Sequence, residues 1–169
     1  MRKVKSVKID GESVFMFNSA IYIFETDSRY TLELDIIVSE IVLKKFGNNE
    51  NLIIEIKLED GKEISAIMHL RGLVGEGLPQ LNLYCEIYDL EGYEDFQIVH
   101  ENETSFPNVE EGITLKEIRK VEMPNERINL KLLLPIDQTE WLAKQGKNLN
   151  GILKEAIYDY WNKEKKLQE

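Results

Sequence analysis

Alternation of apolar and polar side chains dominates the first 124 residues and predicts strands more than helices. Lys3 to Ile9 reads as the first strand, and Asp10-Gly11 after it is a tight-turn pair. Ser13 to Phe17 and Ile21 to Glu25 follow, with Asn18-Ser19 read as the turn between them. Tyr30, Leu32, Leu34 and Ile36 recur with a period of two. The next stretch is ambiguous. Ile37, Val38, Ile41, Val42 and Phe46 fit a helical face, but β-branched residues and the preceding alternation favour a long strand with a bulge, ended by Gly47-Asn48-Asn49. Leu52 to Glu59, Asp60-Gly61 and Lys62 to Leu70 make the clearest hairpin. Leu81 to Tyr88 is expected to pair with Tyr93 to His100 across Glu91-Gly92. Glu101 to Gly112 reads as a polar surface loop, and Ile113 to Val121 as either a last strand or a short helix. Many short strands with regular turns predict a mainly antiparallel β barrel or sandwich. No repeat recurs at the 20–50-residue period of a solenoid or propeller.

The pattern changes after Met123-Pro124-Asn125-Glu126, where proline interrupts regular structure. In Arg127-Ile128-Asn129-Leu130-Lys131-Leu132 the apolar residues share one face of a strand and Asn129 and Lys131 share the other. Leu133-Leu134-Pro135 ends it. Asp137, three residues before Glu140, is a capping-box-like start for a short helix that carries Trp141 and Leu142 and stops at Gly146. Asn148 or Asn150 is placed to cap a second helix. Its Leu149, Ile152, Leu153, Ala156, Ile157, Tyr160 and Trp161 form an amphipathic stripe, and Lys163, Lys165 and Lys166 suit its C-terminal end. The predicted class is therefore α+β, an acidic β-rich body over 1–124 followed by a strand-helix-helix tail over 125–169.

That tail resembles a ribbon-helix-helix domain of the Arc/CopG/HicB type over about residues 126–166. Gly146 to Trp161 looks like the family's second helix with its preceding turn, and Arg127 to Leu132, ending in Pro135, is similar to its strand. The resemblance implies a homodimer whose two strands pair into an antiparallel ribbon in the DNA major groove. It places base reading on Arg127, Asn129 and Lys131, with the cations suited to guanine and the amide to adenine. It places a phosphate clamp at the second helix start, near Asn148 and Asn150. Leu149-Asn150 is similar to the version at the C-terminus of HicB-type antitoxins, where an acidic body precedes the reader. The bland alternative is that 127–134 is an ordinary strand of the body's own sheet, with both helices packed on it.

Charge sharpens this division. The chain of 169 residues carries 21 basic and 31 acidic side chains, a formal charge of −10. Residues 1–124 hold 13 basic and 24 acidic side chains, net −11, and residues 125–169 hold 8 and 7, net +1. An acidic body repels phosphate and favours a basic protein partner, or serves solubility alone. One cysteine, Cys85, cannot form an internal disulfide, no apolar run reaches the roughly 18 residues of a membrane span, and no signal peptide is read, so a cytoplasmic protein is expected.

Enzymatic chemistry finds no motif. His69 and His100 stand far from Cys85 and from paired carboxylates at ligand spacing, so neither a metal site nor a cofactor is expected. Cys85 lies in an apolar strand and reads as an inert thiol. Gly72, Gly75 and Gly77 precede a strand, unlike a phosphate-cradling loop, which leads into a helix. Glu91, Glu94, Asp95, Glu101 and Glu103 lack calcium-loop spacing and read as a solvated face. Two functions remain: a dimeric DNA-binding regulator or antitoxin-like autorepressor with a partner-binding body, and a non-enzymatic immunity- or adaptor-type protein with an acidic β surface and no DNA binding.

Overall fold

The computed structural model describes residues 2–72, 77–103 and 106–167. The chain is α+β and divides into two compact units, Met1–Asn125 and Glu126–Glu169. Unit 1 is an eight-stranded sheet with β1 (Val4–Ile9), β2 (Glu12–Val14), β3 (Asn18–Glu25), β4 (Tyr30–Ile37), β5 (Asn51–Leu58), β6 (Glu63–Leu70), β7 (Gln80–Ile87) and β8 (Ile98–His100). The order across the sheet is β2-β1-β5-β6-β7-β4-β3-β8. Every pairing is antiparallel except β3 with β8. The sheet is open, with β2 and β8 as its edges.

Turn chemistry accounts for the hairpins. Asp10 and Gly11 both have positive φ, 50° and 82°, the backbone whose twist joins two adjacent strands without splaying them. Asp10 Oδ1 also accepts from the Ile53 N–H, tying this turn to β5. In β5 alternate residues are buried, so Leu52, Ile54, Ile56 and Leu58 all enter the core. That core also takes Val7 and Ile9 from β1, Ile21 and Ile23 from β3, Leu32, Leu34 and Ile36 from β4, and Leu81 and Leu83 from β7. β1 and β3 lie far apart in strand order, so the sheet curves to bring both to one apolar cluster.

A second, smaller core lies on the other face. There Ala20, Tyr22, Ile37 and Val99 meet Val109 and Ile118. Ile118 belongs to α2 (Leu115–Val121), which a full capping box between Thr114 and Glu117 starts, so the ambiguous 113–121 stretch is a helix.

Three local expectations are corrected. The 37–46 stretch is not a bulged strand: β4 ends at Ile37 and α1 (Glu40–Phe46) follows. Ser39 caps α1 by accepting from the Val42 N–H, with Glu40 in its first turn and Lys44 and Lys45 in its last, and this end chemistry outweighs β-branched propensity. Asn18-Ser19 is not a turn but the start of β3. Asn18 pairs with Ile37, and its Nδ2 donates to the Val109 carbonyl. Tyr93 to His100 does not pair with β7, because β4 and β6 already fill both of that strand's edges. Residues 90–96 fold into tight turns that bury Phe96, and β8 then joins β3 in parallel.

Candidate functional site

The tail unit is built by backbone chemistry more than by burial. Residues 122–135 form no helix and no paired strand, and no strand of the eight-stranded sheet comes from them. The expected strand at Arg127 to Leu132 is thus without a partner in the single chain. Its apolar side chains are open to water, Ile128 at 67%, Leu130 at 57% and Leu132 at 59% exposure.

Pro135 then starts α3 (Ile136–Gln145), where both the N–H and the hydroxyl of Thr139 donate to its carbonyl. The capping box expected from Asp137 and Glu140 does not form. The proline sets the cap two residues earlier, so Asp137 falls inside the first turn and accepts from the Gln138 N–H instead. Gly146 ends α3 with φ 52° and ψ −120°, and one 3-10 turn (Gly146–Asn148) runs directly into α4 (Leu149–Lys166).

Asn148 stands at the N-cap position of α4, as one of the two expected caps, but this continuity leaves it without the cap bond. Asn148 already has helical backbone, φ −80° and ψ −9°, and makes no cap bond, while Asn150 lies within the first turn of α4. Both are exposed on the same turn. Arg127, Asn129 and Lys131 are exposed along the unpaired segment, and among the described residues none of the five makes a side-chain hydrogen bond. Near the end of α4, Lys165 Nζ stands 3.8 Å from the centre of the Trp161 ring.

Gly146 is the one residue here that an L side chain cannot replace without strain. A Cβ there meets nothing within 4 Å, so the penalty lies in the backbone alone. Gly146→Ala is expected to cost about 1–3 kcal/mol at the α3–α4 joint. The cost should appear as lost helical circular dichroism and an earlier tail transition.

The body holds a polar cluster that sequence reading missed. Thr31, Glu33 and Asp35 alternate along β4 on the face opposite the main core, yet all three are buried. Glu33 Oε1 accepts from the Thr31 hydroxyl and from Arg71 Nη2, each at 2.6 Å, and the Arg71 guanidinium lies 4.8 Å from the Tyr84 ring centre. Asp35 accepts from Asn82 Nδ2 at 2.7 Å and from the Tyr22 hydroxyl at 3.1 Å. Burial, then the Asp35 and Glu33 charges, push the Tyr22 phenol far above its ordinary range, so it remains a donor. A cavity of about 350 Å³ opens on this cluster. No local signal marks these residues, because a water-facing strand shows the same alternation.

Burial raises the Asp35 carboxyl above its ordinary value of 3.8, and the bonds from Asn82 and Tyr22 and the Arg71 charge offset only part of that. A carboxyl with a raised folded pKa binds its proton more tightly in the folded state. Its ionisation therefore lowers stability as pH climbs from the unfolded value through the folded one. Asp35→Asn keeps an acceptor for Asn82 and removes the charge. It is expected to raise stability at pH 7 by on the order of 1 kcal/mol, with no gain below about pH 3.5, in melts across a pH series.

The other candidates have structural surroundings. His69 packs against Tyr84, and His100 Nδ1 lies 2.7 Å from Glu25 Oε2. Cys85 is half-buried, and burial raises its thiol pKa, the direction of an unreactive sulfur. Gly72 and Gly77 flank the connection between the paired strands β6 and β7, and Gly75 lies outside the described residues. In the acidic group, Glu94 accepts from the Gly92 N–H and Asp95 pairs with Arg2. Among the described residues no cluster of three His, Cys, Asp or Glu is arranged to hold a metal ion, and no helix is long and apolar enough to cross a membrane. Comparison with protein-family models, with curated proteins and with solved structures returns no match for this chain.

Proposed function

We propose that the chain is a dimeric DNA-binding regulator of the antitoxin-like autorepressor kind. Its tail pairs with that of a second copy as a ribbon-helix-helix unit, and its acidic body binds a basic protein partner. The observation that carries this reading is the state of the tail: not one residue from 126 to 167 is buried. A water-soluble sequence that alternates Ile128, Leu130 and Leu132 with Arg127, Asn129 and Lys131, and follows them with two amphipathic helices, has an apolar face to cover. An identical segment covers it isologously, because antiparallel pairing about a twofold axis satisfies both backbones and both apolar faces at once. The polar side chains then lie together on the outer face, with donors suited to guanine and adenine edges. In this reading the start of α4, with Asn148 and Asn150, supplies backbone N–H groups to a phosphate.

The test is light scattering together with fluorescence anisotropy on mixed duplex DNA. A dimer is expected, with affinity that falls steeply as salt rises, since phosphate contacts release counterions. Changing Asn129 and Lys131 together to Ala should remove sequence preference and leave helix content unchanged. The net charge of −10 favours a second reading, an immunity- or adaptor-type protein that uses its acidic β surface and binds no DNA. A monomer indifferent to DNA at low salt would decide for that one.

A further inference from the structure

We propose that the 350 Å³ cavity on the outer face of β3, β4 and β7 binds a single organic cation, an alkylguanidinium or alkylammonium group, held by Glu33 and Asp35 with its apolar stem against Phe24 and Phe106. This stands on the body alone and does not depend on what the tail binds.

Four observations carry it. The cavity has the size of a small-ligand site and a mixed lining, with the rings of Tyr22, Phe24 and Phe106 facing two carboxylates, the guanidinium of Arg71 and the amides of Gln80 and Asn82. Phe106 contacts both other rings, at 6.4 Å to Tyr22 and 5.9 Å to Phe24, so the aromatic wall is continuous. Glu33 is only 2% exposed, yet both of its hydrogen bonds fall on Oε1. Among the described residues no donor reaches its Oε2, although the side chain lines the cavity. That oxygen keeps access to the cavity, since no side-chain oxygen or nitrogen of the described residues is both buried and without a partner, and a donor entering the cavity can reach it. Asp35, 7% exposed, receives bonds only from the neutral groups of Asn82 and Tyr22.

The charge count has the same sense. Arg71 is engaged by Glu33 and by the face of Tyr84, so it answers one of the two negative charges and leaves the other unmatched. A monocation neutralises the lining, and the rings add cation–π attraction. An anion would meet two carboxylates against the one guanidinium of Arg71, which Glu33 already holds. Apolar side chains could fill the same face at no loss of stability, so buried charges beside an open cavity are more useful to a ligand than to the fold.

Calorimetric titration of the full chain tests this with three probes: Nα-acetyl-arginine methylamide, the monocation N-butylguanidinium, and the neutral isostere Nα-acetyl-citrulline methylamide. The two cations should give saturable binding and the citrulline compound none. Tighter binding of the acetylated amide identifies a side chain carried by a protein as the source, and tighter binding of N-butylguanidinium identifies a free small molecule. Glu33→Gln and Asp35→Asn should each weaken the cations at least tenfold. Equal response to arginine and citrulline probes, or no saturable binding to the unaltered chain, would overturn the proposal. That comparison needs no variant, so it decides even if a substitution unfolds the body.

Discussion

Leu130→Glu is expected to convert the protein from a dimer to a monomer and to abolish DNA binding in the same step. In the proposed ribbon Leu130 sits mid-strand with Ile128 and Leu132 on the covered face, yet in the single chain it is 57% exposed. Burial of a leucine side chain stabilises by about 2 kcal/mol, and twofold symmetry makes the loss count twice, about 4 kcal/mol. That weakens association about a thousandfold before the cost of burying two carboxylates is added. Leu130→Met, of similar volume, should leave the dimer intact. The body keeps its own core around Val7, Ile54 and Leu34, so its melting should not move. Sedimentation or light scattering at a concentration where the unaltered chain is dimeric reads the outcome. A Leu130→Glu protein with the mass of a dimer would refute the ribbon.

Arg71→Met is expected to destabilise the body by about 2 kcal/mol, lowering its melting temperature by roughly 5–10 °C. Glu33 is buried and has two donors, the Thr31 hydroxyl and Arg71. Without the guanidinium its carboxylate keeps one neutral donor in a poorly solvated place. Removing one partner of a fully buried pair costs about 3–5 kcal/mol, and the half-exposed Arg71 lets water replace part of its contribution. Methionine preserves the stem that lies along Tyr84, so packing is largely retained. The double variant Glu33→Gln, Arg71→Met should recover most of the loss, since it removes the stranded charge. Urea melts of the four proteins form the cycle. A double variant as unstable as Arg71→Met alone would show that packing, not charge, carries the cost.

Some of the fold could be read in the pattern because its causes are local. Asp10-Gly11 and Asp60-Gly61 announce hairpins, since few residue pairs tolerate the backbone such turns need. β5 shows its buried face openly in alternate positions. α1 differs from the expected bulged strand because five apolar residues at helical spacing follow a period-two strand, and the deciding residue is Ser39, whose cap bond to Val42 switches the chain from one regime to the other. β8 lies beside β3 rather than the expected β7 because strand adjacency depends on which edges are free. The occupancy of both β7 edges is a property of the whole sheet.

By itself the sequence determined the change of regime near Pro124, the acidic balance of the body and the amphipathic pattern of the tail, because these rest on side-chain chemistry and periodicity within a few residues. Only the tertiary structure decided that Thr31, Glu33 and Asp35 are buried. A polar residue on a strand faces water or protein according to what the rest of the chain lays over it. Here Arg71 and Phe106, some 40 and 70 positions further along the chain, stand beside Glu33 and Asp35.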